Sequence, residues 1–206
     1  MPTGSMHGVF HRPEPTPRTA IGDAGSLQDR AHEDEERDGA QHVVRGDLVD
    51  ALRELGMHRK VQLIVSGGIR TGADVAKALA LGADAVSIGM AALMALNCNA
   101  PLYEEDYAAL GTRPGLCQMC HTGRCPVGIT TQDPELEKRL DPVEGARRLR
   151  NYLSTLTMEC QTLARACGKS HVHNLEPEDM VALTVEAAAM ARVPLAGTDW
   201  IPGSSG

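Results

Sequence analysis

The stretch that decides the fold is residues 61–91, which read VQLIVSGGIRTGADVAKALALGADAVSIGMA. It opens with an apolar run typical of a buried strand, and the run stops at Ser66-Gly67-Gly68. A helix is predicted over residues 71–81, because apolar residues recur there at helical spacing. A second apolar run, residues 85–88, ends at Gly89. Strand, helix and strand within about thirty residues make one βαβ unit, which predicts two parallel strands buried on both faces.

The glycine turns after the two strands predict an anion site. Glycines lack Cβ, so the first turn can approach a phosphate closely with successive N–H groups, and the positive end of the following helix favours an anion. The second turn lies at the same end of the neighbouring strand. In a (β/α)8 barrel, the loops after the last two strands commonly hold a phosphate. The alternative is that both are ordinary tight turns, with Arg70 facing water. The candidate residues are Ser66, Gly67, Gly68, Ile69, Arg70, Gly89, Met90 and Ala91.

Composition excludes several classes of protein. The chain has 206 residues, enough for one ordinary domain, and 42% of them are hydrophobic but only 2% are aromatic. Binders of single-stranded nucleic acid use aromatic stacking platforms, and a formal net charge of −7 opposes binding to nucleic acid or anionic membranes. No apolar run has the length of a membrane span and no signal-peptide pattern is found, so we expect a cytoplasmic protein without nucleic-acid or membrane partners.

The chain divides into four segments by texture. Residues 1–41 are rich in proline, glycine and charge without helical or strand periodicity, and we expect them to be disordered or unrelated to the rest. Residues 42–110 contain a helix, carrying Leu48, Val49, Leu52 and Leu55 on one face and ended by Gly56, and then the βαβ unit. Residues 111–140 form an irregular cysteine loop. Residues 141–206 are a helical extension, with one helix from Asp141 to Ala166 and another from Pro177 to about Arg192.

The cysteine loop predicts a metal site. Cys117, Cys120 and Cys125 have the spacing C-x2-C-x4-C, and Pro126 follows the last of them, as in iron–sulfur binding runs. Three thiolates suit a 3Fe-4S cluster, and recruiting Cys98 would permit 4Fe-4S. A zinc site completed by His121 is the main alternative, although two adjacent ligands make tetrahedral coordination awkward. Incidental cysteines in an inert loop remain a further alternative. The spacing of seven between Cys160 and Cys167 indicates two buried structural thiols on one helix face.

Two of these motifs together resemble one family. SGGIRTGADVAKALALGADAVSIG followed by CHTGRCPVGITTQDPEL is similar to the FMN-binding domain of the glutamate synthase large subunit. The first segment alone is shared by many FMN- and IMP-binding barrels, whereas the second is specific. The resemblance covers roughly residues 43–203, including HNLEPEDMVALT near the C-terminus.

The resemblance implies the function and the site residues. It implies an α/β fold: the C-terminal portion of a TIM (β/α)8 barrel with an iron–sulfur loop and a helical extension. Members of the family reduce the 2-iminoglutarate formed from 2-oxoglutarate and ammonia, giving L-glutamate. A glutaminase domain or subunit supplies the ammonia, and an electron-donor protein or NAD(P)H-oxidising subunit supplies the electrons. By this resemblance, residues 66–70 and 89–91 would bind the FMN phosphate, and the three loop cysteines, Cys117, Cys120 and Cys125, would ligate the cluster. No catalytic side chain can be assigned.

Two departures from the family pattern lead to further expectations. In the family, the first cluster cysteine lies further upstream of the second than Cys117 does here. The barrel also needs about six more βα units before Arg45, and the units that contact the flavin ring and 2-oxoglutarate are among them. We therefore expect a C-terminal part of a larger enzyme, inactive on its own. The alternative function is a non-enzymatic iron–sulfur or zinc module that docks through the exposed edge of the strand at residues 61–65.

Overall fold

The computed structural model describes residues 19–20 and 48–203. The prediction for residues 1–41 therefore lies outside the described residues, apart from the backbone of Thr19–Ala20. The three strands are β1 (Thr19–Ala20), β2 (Gln62–Ser66) and β3 (Ala85–Ser87). The helices are α1 (Asp50–Glu54), α2 (Gly72–Ala80), α3 (Met90–Ala95), α4 (Glu104–Ala109), α5 (Pro134–Glu137), α6 (Pro142–Ala166) and α7 (Val185–Ala191). The mixed α/β class is thus confirmed.

The sheet is parallel, with the order β1-β2-β3. The register pairs Thr19 with Gln62 on one side of β2 and Ser66 with Ser87 on the other. β2 is therefore the central strand. The prediction that residues 61–65 present an exposed docking edge is wrong for Gln62 and Leu63, because they pair with the backbone of Thr19–Ala20.

Among the described side chains, those on only one face of the sheet are buried. Leu63 and Val65 point into the core, whereas Ile64, between them, is 46% exposed. Ala85 and Ser87 of β3 are exposed as well. The prediction of burial on both faces is wrong for the described residues, because helices pack against one side of the strands alone.

The covered face is built by α2 and α6. Thr71 caps α2 with its side-chain oxygen, and Val75 and Leu79 face the core. The 25-residue helix α6 starts at Pro142 after the Asp141 cap and packs along α2 more extensively than any other pair of described elements. Leu156 and Cys160 of α6 are buried in this core, but Cys167 is exposed, so the prediction of two buried thiols holds for Cys160 alone.

The last segment differs from the predicted continuous helix over Pro177–Arg192. A 3-10 turn, Pro177–Asp179, is followed by extended backbone at Ala182, and α7 begins only at Val185 after the Thr184 cap. Ala182 donates to Pro194 O at 2.8 Å and accepts from Ala196 N at 2.8 Å. Hydrogen bonds to Pro194 and Ala196 thus satisfy the backbone N–H and carbonyl of Ala182 without a helix.

Among the described residues, none of the helices is both long and apolar enough to cross a membrane.

Candidate functional site

The first glycine turn follows β2 directly and adopts a conformation that glycine favours. Gly67 and Gly68 have φ values of 110° and 67°. L-residues rarely adopt such angles, so a side chain at either position would be strained. The βα turn predicted from the sequence is therefore formed, with α2 starting at Gly72.

Carboxylates occupy the N–H groups at the end of this turn. Asp74 accepts from Arg70 N at 3.0 Å and from Thr71 N at 2.9 Å, and Glu159 of α6 accepts from Gly72 N at 2.6 Å. An anion therefore cannot use these three donors while both carboxylates hold them. The sequence does not reveal the contribution of Glu159, because the residue lies 87 positions away in the chain.

Asp74 is stabilised as a carboxylate by these contacts. Burial acts to raise the pKa of Asp74, but hydrogen bonds from Arg70 N, Thr71 N and the Thr71 hydroxyl outweigh it, and the charge of Lys77 adds to them. The pKa is consequently below its usual 3.8. Asp74 also forms an ion pair with Lys77 at 3.4 Å, yet it mainly serves as part of a capping box.

The backbone N–H groups that remain available to an anion lie earlier in this turn and in the turn that follows β3. Within the described part of the chain, no side chain accepts a hydrogen bond from Gly67, Gly68 or Ile69. The second turn leads into α3, which begins at Met90 after Gly89 without a side-chain cap. Because β2 and β3 are adjacent and parallel, the two turns that follow them lie at the same, carboxyl end of the sheet. The candidate anion site is therefore reduced to the N–H groups of residues 67–69 and 89–91.

The cysteine loop is held to the body of the chain through two residues that the sequence analysis missed. The fully buried ring of Tyr107 packs with Cys125, and its hydroxyl donates to the carbonyl of Cys98. Arg139 donates to Pro126 O at 2.8 Å, pairs with Asp106 at 3.0 Å and lies 4.7 Å from the ring centre of Tyr103. No sequence motif marks Tyr107 or Arg139 as a residue that holds the loop, because both act through contacts with distant parts of the chain.

Cys125 occupies a site that favours its thiolate. Burial acts to raise the pKa of the Cys125 thiol, but the N–H and hydroxyl groups of Thr130 and the N–H groups of Ile129 and Val127 outweigh it and lower the pKa below its usual value. The Thr130 hydroxyl oxygen is buried and has no hydrogen-bond partner among the described residues. Donor groups near a sulfur stabilise the negative charge of its thiolate.

The pKa of Cys98 is influenced by the three thiols of the cysteine loop. Burial raises the pKa of Cys98 to about 11, and the thiols of Cys120, Cys125 and Cys117 raise it as well. Burial likewise raises the pKa of Tyr107 to about 12, with contributions from Cys98, Cys117 and Cys125. Cys98, which the loop spacing alone does not include, is therefore a neighbour of the three predicted ligands.

The cysteine loop offers donors of the kind that iron–sulfur clusters use. Thiolates are the usual ligands of such clusters, and N–H groups near sulfur are a feature of these sites. Across residues 48–203, no three His, Cys, Asp or Glu side chains are grouped to hold one metal ion.

Comparisons with known proteins agree on one family. Residues 46–170 match the family model described as "Conserved region in glutamate synthase". A glutamate synthase large subunit-like protein of Rhizobium meliloti (strain 1021) is 70% identical over 155 residues, which are 75% of this chain and 35% of the relative. An archaeal glutamate synthase (NADPH) of Methanocaldococcus jannaschii is 46% identical over 124 residues, or 60% of this chain and 21% of the relative. An archaeal-type glutamate synthase (NADPH) of Dehalococcoides mccartyi is 40% identical over 150 residues, or 71% and 27%. The chain thus spans about a third or less of the length of these relatives.

Proposed function

The chain belongs to the glutamate synthase family, and we propose that it forms the C-terminal part of the flavin- and iron–sulfur-binding unit of an oxidoreductase that makes L-glutamate. The sheet of β2 and β3, open on one face, would be the last part of a (β/α)8 barrel. The remaining βα units would cover the face that carries Ile64 and would close the barrel.

The observation that carries the proposal is the environment of Cys125. Donor groups of Val127, Ile129 and Thr130 lower the pKa of its thiol, and Cys117 packs against the same apolar cluster as Cys125. A thiolate stabilised in this way is suited to ligate a metal. Cys117, Cys120 and Cys125 would ligate a 3Fe-4S cluster, and Cys98, whose pKa these three thiols influence, would be the fourth ligand of a 4Fe-4S form.

The two glycine turns would hold the phosphate of FMN. Backbone N–H groups of residues 67–69 and 89–91 would donate to it, with Ser66 and Arg70 at the rim of the turn. Bound FMN would supply hydride transfer to a 2-iminoglutarate made from 2-oxoglutarate and ammonia. The part of this chain would be to fix the phosphate end of the cofactor and to exclude other orientations.

Substrates and partners follow from the family. Ammonia would come from a glutaminase domain or subunit, and electrons from a donor protein or an NAD(P)H-oxidising subunit. Because the chain spans about a third of the Rhizobium relative, the contacts to the flavin ring and to 2-oxoglutarate belong to parts of the family outside it. No described side chain is therefore assigned a catalytic role, and we expect the isolated chain to be inactive.

Binding of FMN and riboflavin to the purified chain tests the flavin site. Riboflavin lacks the phosphate, so we expect FMN to bind at least about tenfold more tightly, the effect of one or two charge-assisted hydrogen bonds. Gly68→Ala should remove the difference, because Gly68 has a φ of 67°. Gly56→Ala is the matched control, with a φ of 61° and open space around the added methyl group.

Equal affinity for the two flavins, or an effect of Gly56→Ala as large as that of Gly68→Ala, would refute the phosphate site. Metal binding without any flavin would favour a non-enzymatic metal module instead.

A further inference from the structure

Two side chains of α6 hold the turn that follows β2. The Tyr152 hydroxyl donates to Arg70 O at 2.9 Å, and the Glu159 carboxylate accepts from Gly72 N at 2.6 Å. The two residues are seven positions apart, which places them on the same face of the helix, two turns from each other. Each reaches across more than eighty residues of sequence to the backbone of the turn.

The backbone of α6 itself touches the start of α2. A Cβ at Gly72 would lie 2.4 Å from Leu156 O and 2.6 Å from Cys160 N. Real Cβ atoms do not approach other atoms so closely, so only glycine permits this contact. The helix and the turn are therefore in direct backbone contact between the two side-chain hydrogen bonds.

We propose that Glu159 and Tyr152 are positioning residues for the phosphate site, an inference that rests on the proposed function of the turn. Glu159 fills the N-terminal donor of α2, and Asp74 fills the two donors before it. An incoming phosphate is thereby directed to residues 67–69 and to the second turn. Tyr152 fixes the Arg70 carbonyl and so orients the peptide bond that begins at this carbonyl, two residues after the glycine pair.

The same helix connects this turn to the cysteine loop. α6 begins at Pro142, three residues after Arg139, whose guanidinium holds the loop at Pro126. Because a continuous helix is stiff, α6 sets the position of the turn relative to the segment that leaves the cysteine loop. The helical extension is thus a positioning element for the flavin phosphate as well as a cover for the sheet.

The test compares four variants of the full 206-residue chain. Glu159→Leu removes the acceptor, Glu159→Gln keeps an acceptor without the charge, and Tyr152→Phe removes the donor. Glu144→Leu is the control on the same helix, because Glu144 pairs only with Arg147 and Arg148 one turn away. Amide hydrogen exchange without ligand is measured at Thr71, at Gly72 and at Leu63 in the core strand, because all three N–H groups are hydrogen-bonded, and FMN affinity is measured separately.

Glu159→Leu and Tyr152→Phe should speed exchange at Thr71 and Gly72 about tenfold while Leu63 stays unchanged, and should weaken FMN binding by a similar factor. Glu159→Gln should keep slow exchange and bind FMN as tightly as the natural chain or more tightly, since a negative charge near the phosphate is removed.

Uniformly faster exchange at all three amides would show a merely structural role and overturn the inference, as would unchanged exchange at Thr71 and Gly72. If exchange changes as expected but the natural chain does not discriminate FMN from riboflavin, the proposed phosphate site fails while the hold of α6 on the turn stands.

Discussion

Gly128 and Gly115 have nearly the same backbone conformation but very different surroundings. Their φ values are 79° and 83°. A Cβ at Gly128 would lie 2.2 Å from Leu136 O, whereas a Cβ at Gly115 would have no neighbour within 4 Å. Gly128 is therefore required twice, by its φ angle and by the approach of α5, and it lies between Val127 and Ile129, two of the residues that lower the pKa of Cys125.

Replacing these glycines separates the two requirements. Gly115→Ala should lower the free energy of unfolding by about 1 kcal/mol, the cost of a positive φ. Gly128→Ala should lower it by about 3 kcal/mol or more, because the loop must also move away from α5. Urea denaturation of both variants gives the two values, and equal losses would contradict the close contact.

Asp74 predicts a dependence of stability on pH. Its pKa is lowered in the folded chain, so its stabilising effect is present above its usual value of 3.8 and is lost as the pH falls through the folded pKa. Asp74→Asn should therefore cost about 1 kcal/mol at pH 7 and progressively less below pH 3.8. Urea denaturation at several pH values measures this difference, with Asp199→Asn in the exposed C-terminal loop as control. A difference independent of pH would contradict the role of the charge.

Cys125 and Cys160 are both buried, but only Cys125 has donors around its sulfur. After anaerobic reconstitution with iron and sulfide, Cys125→Ser should lose nearly all acid-labile sulfide, because a cluster ligand is missing. Cys160→Ser should retain it, since Cys160 lies in the apolar core of α2 and α6. Equal retention in both variants would remove Cys125 from the cluster.

For single residues, the sequence identifies the glycines and cysteines of the candidate sites but not the residues that hold them in place. The glycine pair and the loop cysteines are recognisable by residue type and spacing. By residue type and spacing, Glu159, Tyr152 and Arg139 do not differ from the residues around them. Their roles depend on distances across the fold, which one sequence without partners does not contain.

Among the elements, the helices with clear caps are predicted well. The cap and glycine signals around residues 71–82 and 141–168 give helices close to α2 and α6, because capping is local chemistry. The predicted helix over Pro177–Arg192 is wrong in its first half, where pairing of Ala182 with a later segment satisfies the backbone instead. Burial of a single sheet face was also not predictable, since apolar strands read alike in either arrangement.

The junction between α4, α5 and the cysteine loop depends on Arg139. Arg139→Met should free the loop from Asp106 and from Pro126 O, and so speed limited proteolysis within residues 111–130 severalfold. Lys138→Met is the neighbouring control, because Lys138 pairs only with exposed Glu135. Time courses of cleavage with a low protease concentration measure the effect, and identical rates in both variants would contradict the role of Arg139.

At the scale of the whole molecule, the described chain carries two candidate sites. The glycine turns follow adjacent parallel strands whose described side chains are exposed on one face, and the cysteine loop packs on a small apolar cluster around Tyr107. Neither site contains a described side chain suited to act on 2-oxoglutarate. This arrangement fits one part of a larger cofactor-binding unit, in which the chemistry belongs to bound groups.

We propose that the thiols of the cysteine loop hold an iron–sulfur cluster, and the iron and acid-labile sulfide bound per chain after anaerobic reconstitution test this most directly. We expect about three irons with about four sulfides, and about four irons if Cys98 joins the site. Tight binding of one zinc ion with no labile sulfide would contradict it.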